Sequence, residues 1–408
     1  MPPDEEPAAS LPVVQVSGEN FRIDTPVHSD GLMHHYVIES RFGTFFAYGR
    51  RALAVRLREV AALTNIAKTS DADVVLKSAG RSLHEDVGAV ADLAKHPVGV
   101  VTGIPKGVSH LFGGYRAQAK EISGEIHKTA QQSHDSKPTT KGVVDKTSTE
   151  AKQYAVRYLG VTAAQMRWYQ KLGVDPYTSN EVLRKAVNHL AKIDAATSFG
   201  MHFAPVPGIP YAGDIRRALN TIYNEDPAAL RAKRRADLAG YGLAPDEVER
   251  FENTVLLSPT RQAVLVDAAK ALDGVAGRAE LFRHAMSVTS EEEIEVFLSS
   301  LHLMLNFHAR QPVARIASGL RLPTAELADG RVLVFGSFDS VYWTEEVAGY
   351  ERSLAQAIAT DVPTRELWLS GSVSSRARRE LESRGWQVHD QLSEEDGSPP
   401  TSVSLTPG

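Results

Sequence analysis

VLVFGSFDS, residues 332–340, and LWLSGSVSS, residues 367–375, are two short apolar runs that end on Gly-Ser and have another serine three positions later. Each run is followed by a segment with helical periodicity. We therefore predict a strand–helix–strand–helix–strand order at residues 331–335, 344–358, 366–370, 374–384 and 387–391. This order predicts a small βαβαβ unit near the end of the chain.

The two Gly-Ser turns are predicted to lie at the same edge of this sheet. Crossovers between parallel strands are right-handed, so both turns leave the sheet at its carboxyl edge, where open α/β sheets bind ligands. Glycine allows the backbone to approach a ligand, and free amides at a helix start favour phosphate or carboxylate groups. The predicted site for a small anionic molecule consists of Gly336, Ser337, Gly371, Ser372, Ser374 and Arg376.

The same turns have a simpler interpretation. Serine and threonine before a helix are ordinary N-caps, so Ser340, Thr344 and Ser374 require no ligand. Neither turn has the GxxxxGK[ST] phosphate-loop pattern, the GxGxxG dinucleotide pattern or the GxSxG pattern of a hydrolase nucleophile. Capping is therefore the preferred interpretation, and ligand binding is the alternative.

The composition limits the classes of function. The chain has 408 residues, 42% of them apolar and 23% charged, which fits a foldable protein of two or three domains. The net charge of −5 disfavours nucleic-acid binding. The chain has no cysteine, which excludes disulfides, thiolate metal sites and a cysteine nucleophile. We predict no cofactor.

Most of the remaining chain is predicted to be helical. β-rich runs at residues 21–25, 36–38 and 44–48, with a predicted turn at Ser29-Asp30-Gly31, precede the first helical pattern. The predicted helices cover residues 50–68, 72–83, 152–159, 162–172, 180–197, 213–223, 227–239, 244–257, 258–271, 278–285, 290–307 and 312–319. The residues predicted to cap helix starts are Thr162, Ser179 or Asn180, Ser258 and Ser290. The predicted fold class is α+β and mostly α-helical, with a central multi-helix bundle, a small N-terminal β-element and the C-terminal βαβαβ unit.

Composition shifts predict the division of the chain. Residues 129–150 have almost no large apolar side chains, so they cannot bury enough surface to offset the cost of ordering. The predicted parts are an acidic Pro/Ala tether (1–20), a β-element with amphipathic and Gly-rich helices (21–128), a linker or disordered loop (129–150), a helical domain (151–325), a small α/β unit (326–392) and a disordered tail (393–408).

Residues 87–115 form a glycine-rich apolar segment whose apolar residues recur every three or four positions. In a helix each glycine costs about 1 kcal/mol and each proline about 3 kcal/mol, and Pro97 and Pro105 both fall inside the segment. The segment therefore needs a covering surface: the domain's own core, a bilayer interface or a partner helix. The predicted membrane or partner contacts are Val98, Gly99, Val101, Gly103, Ile104, Gly107, Val108, Leu111 and Phe112.

Metal binding is not predicted. His28, His34 and His35 lie close together beside a predicted hairpin, but neighbours on a strand point to opposite faces. No nearby carboxylate is expected to assist them, and no HExxH or EF-hand motif occurs. His302 and His308 lie in an otherwise apolar helix, and we interpret them as core or boundary residues.

These patterns predict a non-enzymatic interaction or scaffold protein, associated with a bacterial cell envelope or membrane surface. The expectation rests on the lack of concentrated catalytic chemistry, on the lipoprotein-like tether and on the glycine-rich segment. The expected partner is a membrane surface or a protein, and the expected location is periplasmic or envelope-associated, with the cytoplasm as the alternative. The second hypothesis is an α/β ligand-binding protein or enzyme that acts on a small phosphorylated or carboxylated molecule at Gly336 and Gly371.

Overall fold

The computed structural model describes residues 17–18, 20–68, 152–155, 157–194, 213–358 and 362–392. Contacts group these residues into two compact units. The first unit contains residues 17–68, 157–194 and 213–226, and the second contains residues 152–155, 227–358 and 362–392. The mixed α+β, mostly helical fold class is confirmed. The division after Asp226 falls inside the predicted helical domain, and the predicted segments at 72–83 and 87–115 lie outside the described residues.

The first unit begins with an antiparallel sheet. Its strands are β1 (Ser17–Gly18), β2 (Phe21–Ile23), β3 (His28–Ser29), β4 (His34–Ser40) and β5 (Gly43–Tyr48). β4 is central, with β5 along one side and β2 and β3 along the other. Along β4 and β5 buried side chains alternate with accessible ones, as in a sheet that is solvated on one face.

The helices of this unit complete its core, and the first of them packs on the inner face of the sheet. They are α1 (Arg50–Ala67), α2 (Ala163–Leu172), α3 (Glu181–Asp194) and α4 (Gly213–Asn224). Ile38 of β4, Leu63 of α1 and Leu183 of α3 belong to one apolar core and are almost completely buried. The predicted cap of α2 is confirmed, because Thr162 and Gln165 form a reciprocal capping box.

A buried carboxylate ties α1 to the loop before α3. Glu59 is 1% exposed; it accepts hydrogen bonds from the Thr178 hydroxyl, from Asn180 Nδ2 at 3.1 Å and from Arg56 Nη1 at 2.7 Å. Asn180 also caps α3, since its Oδ1 accepts the amide of Leu183 at 3.1 Å. Of the two predicted caps, Ser179 and Asn180, it is therefore Asn180 that caps α3, and its side chain also connects α3 to α1.

The second unit contains the longer series of helices and the C-terminal sheet. Its helices before the sheet are α5 (Pro227–Gly240), α6 (Pro245–Asn253), α7 (Pro259–Ala271), α8 (Ala279–Ala285) and α9 (Glu291–His308). Ser258 and Ser290 cap α7 and α9 through their side chains, as predicted. α9 packs along the sheet, and its Phe307 ring lies 5.6 Å from the Phe335 ring.

The C-terminal sheet confirms the predicted parallel strands and adds two antiparallel ones. Its strands are β6 (Arg315–Ile316), β7 (Thr324–Glu326), β8 (Val332–Gly336), β10 (Arg365–Leu369) and β12 (Trp386–His389), in the order β12-β10-β8-β7-β6. The other elements are the short strands β9 (Ser340–Val341) and β11 (Ser372–Val373) and the helices α10 (Glu345–Ala357) and α11 (Ser375–Ser383). The strands of the first unit form their own sheet and do not complete this one.

The predicted helix at residues 312–319 is wrong. Part of this segment is strand β6, which pairs antiparallel with β7. The Ala314 amide donates to the Glu326 carbonyl at 2.9 Å, and the Ala317 amide donates to the Thr324 carbonyl at 2.8 Å. These ladder bonds satisfy the backbone N–H and C=O groups of the segment. A helix here would be short and would bury only Val313 and Ile316, so it would be less stable.

Candidate functional site

The two Gly-Ser turns meet beyond the carboxyl edge of the parallel sheet. After β8 and β10 the chain breaks, and β9 and β11 then pair in parallel, with Ser340 opposite Ser372. Residues that we predicted as open turns are therefore partly strand. The sequence repeat marks two consecutive βα units whose turns are bonded to each other.

The glycines of these turns allow the chain to pack against itself. A Cβ atom at Gly371 would lie 2.3 Å from the carbonyl oxygens of Phe338 and Asp339. At Gly336 a Cβ atom would lie 2.4 Å from the Phe338 ring. Real Cβ atoms do not approach other atoms this closely, so both glycines are explained by internal packing.

The serines of the predicted site are helix caps or bond to neighbouring elements. The Ser337 amide donates to the Ser300 hydroxyl of α9 at 2.8 Å, and both residues are buried. The Ser374 hydroxyl accepts the Ala377 amide at 3.2 Å, which confirms the predicted cap of α11. Thr344 caps α10 in the same way, whereas Ser340 is a strand residue.

An acidic side chain of the chain itself occupies the start of α11. Asp390 Oδ2 accepts the Val373 amide at 3.0 Å, and Asp390 Oδ1 lies 2.7 Å from Arg378 Nη2. An amide and a guanidinium beside a helix start are the groups that we expected to receive an external anion. Arg376, the arginine of the predicted site, is exposed.

A second polar group that the sequence patterns did not reveal lies on the face of the sheet toward α9. Glu366 is 2% exposed; it accepts hydrogen bonds from Arg331 Nη1 at 2.8 Å and from the Trp368 indole at 2.9 Å. His389 stacks on Trp368 with ring centroids 4.3 Å apart, and its Nε2 lies 3.3 Å from Glu366. Period-two spacing in β10 places Glu366 and Trp368 on one face, which is the only signal in the sequence.

A buried histidine lies where α8 packs against α9. His284 stacks on Phe297 at 4.3 Å, and its Nδ1 lies 2.6 Å from the Leu320 carbonyl. Burial and, to a smaller extent, the nearby Arg321 lower the pKa of His284 to about 3, although its hydrogen bond to the Leu320 carbonyl acts in the opposite direction. His284 therefore stays neutral with Nδ1 as the donor, and Nε2 has no polar partner among the described residues.

The histidine-rich hairpin contains a carboxylate that we did not expect. Asp30 accepts the Tyr48 hydroxyl at 2.5 Å and the Met33 amide at 2.8 Å, and its Oδ2 lies 3.3 Å from His35 Nε2. Burial alone would raise the pKa of Asp30, but the hydrogen bonds from His35, Tyr48 and Met33 bring it below its usual value. The expectation that no carboxylate assists these histidines is wrong for His35. The described residues contain no group of three His, Asp or Glu side chains placed to hold a metal ion.

The predicted membrane or partner contacts at residues 98–112 lie outside the described residues. No helix in the described part of the chain is long and apolar enough to cross a membrane. The comparisons with other proteins give no further guide to the site: no protein-family model, curated protein or solved structure matches this chain.

Proposed function

We propose that this protein is a non-enzymatic interaction protein that works at a bacterial cell envelope or membrane surface. The observation that supports this proposal best is the contact of Asp390 with the Val373 amide and Arg378. At the carboxyl edge of a parallel sheet, where a ligand-binding protein receives its ligand, these donors hold a carboxylate of the same chain.

The other buried carboxylates also support a structural role. Glu252 is 2% exposed, lies at the junction of α5 and α6, and is held by Arg231 at 3.1 Å and by Arg235 at 2.6 Å. Glu59 and Glu366 are likewise held by several donors of their own unit. A carboxylate that transfers protons must reach a substrate, whereas these carboxylates hold helices and strands together.

The membrane part of the proposal rests on residues 87–115. This segment has six glycines and two prolines among its apolar residues, so its own helix propensity is low and a surface must cover it. The basic residues that follow it, Arg116, Lys120 and Lys128, suit contact with anionic lipid, although Glu121 and Glu125 offset part of their charge.

Two experiments test the proposal. In the first, the full chain is floated with vesicles that contain anionic lipid. We expect it to rise with the vesicles, and the double variant Val101→Asp, Val108→Asp to remain in the lipid-free fraction, because a charge on the apolar face opposes insertion. The matched control is Thr102→Asp, Ser109→Asp, which adds the same charge at polar positions of the segment. Equal recovery of the wild type and the Val101→Asp, Val108→Asp variant in the lipid-free fraction would reject the membrane version.

The second experiment distinguishes the proposal from small-anion binding. We expect inorganic phosphate to leave the thermal stability of the wild type unchanged. Asp390→Ala lowers the stability, and phosphate restores part of it because the Val373 amide and Arg378 Nη2 have then lost their carboxylate. Glu382→Ala is the control, since it removes a carboxylate 3.8 Å from Arg378 without releasing the Val373 amide. Stabilisation of the wild type by phosphate would instead favour the anion-binding hypothesis.

A further inference from the structure

The strand β5 forms an edge of the sheet in the first unit. Among the described residues it pairs only with β4. The Gly49 amide donates to the His34 carbonyl at 2.9 Å, and the Asp24 amide donates to the Val37 carbonyl at 2.9 Å. In β4 the backbone N–H and C=O groups of even-numbered residues therefore point toward β5, and those of odd-numbered residues point away from it. By the same alternation, the backbone N–H and C=O groups of Thr44 and Phe46 point to the free edge of β5.

This edge lacks the features that normally prevent strand addition. Natural edge strands carry lysine, proline or inward-pointing charges. β5 has the sequence GTFFAY, without charge and without proline. Phe46 is 52% exposed, and Leu159 is the other exposed large apolar side chain in the described part of the chain. On the outer face of the sheet Phe46 lies opposite Val37 of β4, so these two apolar side chains form a row that ends at the exposed edge.

We propose that β5 pairs antiparallel with β5 of a second copy of this chain, which joins the two sheets into one across a two-fold axis. Thr44 then lies opposite the partner's Phe46, and Phe46 lies opposite the partner's Thr44. About four backbone hydrogen bonds form between the two copies. This inference does not depend on the proposed function, since the β5 edges could pair in the same way if the protein were an enzyme.

The chemistry of the edge indicates a second copy as the occupant. An extended backbone can bond to the exposed N–H and C=O groups in register, and each copy supplies such a strand at the same concentration. A two-fold arrangement places identical residues near one another, so any charge would be repelled by its copy. β5 carries no charge, and the pairs that form join an aromatic with a β-branched residue, which is favourable across strands.

Sedimentation equilibrium of the full chain tests the proposal. We expect a reversible monomer–dimer equilibrium, and we expect Phe46→Lys to weaken dimerisation by about tenfold or more because it places a charge at the edge. Leu159→Lys is the matched control, since it replaces an apolar residue of similar exposure outside the sheet. Circular dichroism and thermal unfolding of both variants establish that each still folds.

Cross-linking locates the interface independently. The chain has no cysteine, so Phe46→Cys introduces the only thiol. In the proposed register the two positions are diagonal neighbours about 7–8 Å apart, within reach of a short bismaleimide. We expect a covalent dimer from Phe46→Cys but not from Leu159→Cys. A chain that is monomeric at every concentration overturns the proposal. A dimer that Phe46→Lys leaves unchanged, or one that cross-links equally at both positions, overturns it as well.

Discussion

The two sheets of this protein are buried in different ways. In the first unit, β5 alternates between buried and accessible residues, because one face of the antiparallel sheet is open to solvent. In the second unit every residue of β8 is buried, because the parallel strands are covered on both faces. The comparison indicates where the molecule can accept partners. The first sheet offers a solvated face and the uncharged edge strand β5, whereas the turns at the carboxyl edge of the second sheet bond to other parts of the same unit.

The largest expected effect contrasts the same substitution in the two sheets. Phe335 in β8 is completely buried against Phe307 and Trp368. We expect Phe335→Ala to lower the free energy of unfolding by about 3–5 kcal/mol, because it removes buried surface and leaves a cavity. Phe46→Ala in dilute protein should change it by no more than about 0.5 kcal/mol, since its side chain is exposed. Urea unfolding of both variants measures the difference; similar losses would contradict the comparison.

The next prediction concerns acid. The unfolded chain protonates His284 at its ordinary pKa of about 6.5, whereas burial keeps its pKa near 3 in the folded protein. Because the unfolded state binds the proton first, stability falls as the pH falls from about 6.5 toward 3, by about 1.4 kcal/mol per pH unit. Asp30 in the first unit has a lowered pKa, so its contribution is present above about pH 4 and is lost only as the pH falls below that value.

The His284→Gln variant isolates this effect. Glutamine can still donate to the Leu320 carbonyl but does not titrate. We expect it to be less stable than the wild type near neutral pH, with a smaller loss between pH values of about 6.5 and 4.5. Denaturant unfolding at a series of pH values gives the slopes; an unchanged slope in His284→Gln would assign the acid sensitivity to other groups.

Local patterns predicted most of the elements in both sheets. The alternation in β4 and β5, the apolar runs of β8 and β10, and the caps Asn180 and Ser374 depend on neighbours within a few residues, so the sequence predicts them. The β6–β7 hairpin was missed because strands of two and three residues carry almost no periodic signal.

The site residues were harder to predict because their partners are distant in the sequence. Asp30 was interpreted only as part of a Ser-Asp-Gly turn, yet it bonds to Tyr48, 18 residues away. Asp390 was placed in a predicted strand, and nothing local indicates its contact with Val373, 17 residues earlier. Helix starts and glycines correctly marked where the chain turns, but tertiary packing decides whether such a turn is open or filled.

The third prediction uses glycine to compare close and open packing. We expect Gly371→Ala to lower the free energy of unfolding by about 1–3 kcal/mol, because the new methyl group would overlap backbone atoms of Phe338 and Asp339. Gly349 lies inside α10, and its nearest potential contact is the end of Arg352 at 3.7 Å. Gly349→Ala should therefore raise the stability, by up to about 1 kcal/mol. Changes of opposite sign in the free energy of unfolding of the two variants, measured by thermal and urea unfolding, would support the filled turn. A Gly371→Ala variant as stable as the wild type would contradict it.

The smallest predicted effect compares caps in the two units. Thr162 caps α2 at an exposed position, and Ser258 caps α7 where it is only 3% exposed. We expect Thr162→Ala to cost about 1 kcal/mol and Ser258→Ala up to about 2 kcal/mol, since Ser258 is buried and its loss leaves the half-buried Arg261 amide without its acceptor. Thr162→Ser keeps the hydroxyl and should remain close to the wild type in urea unfolding. If the serine variant loses as much stability as the alanine variant, the contribution at this position comes from the threonine methyl group rather than from the capping hydrogen bond.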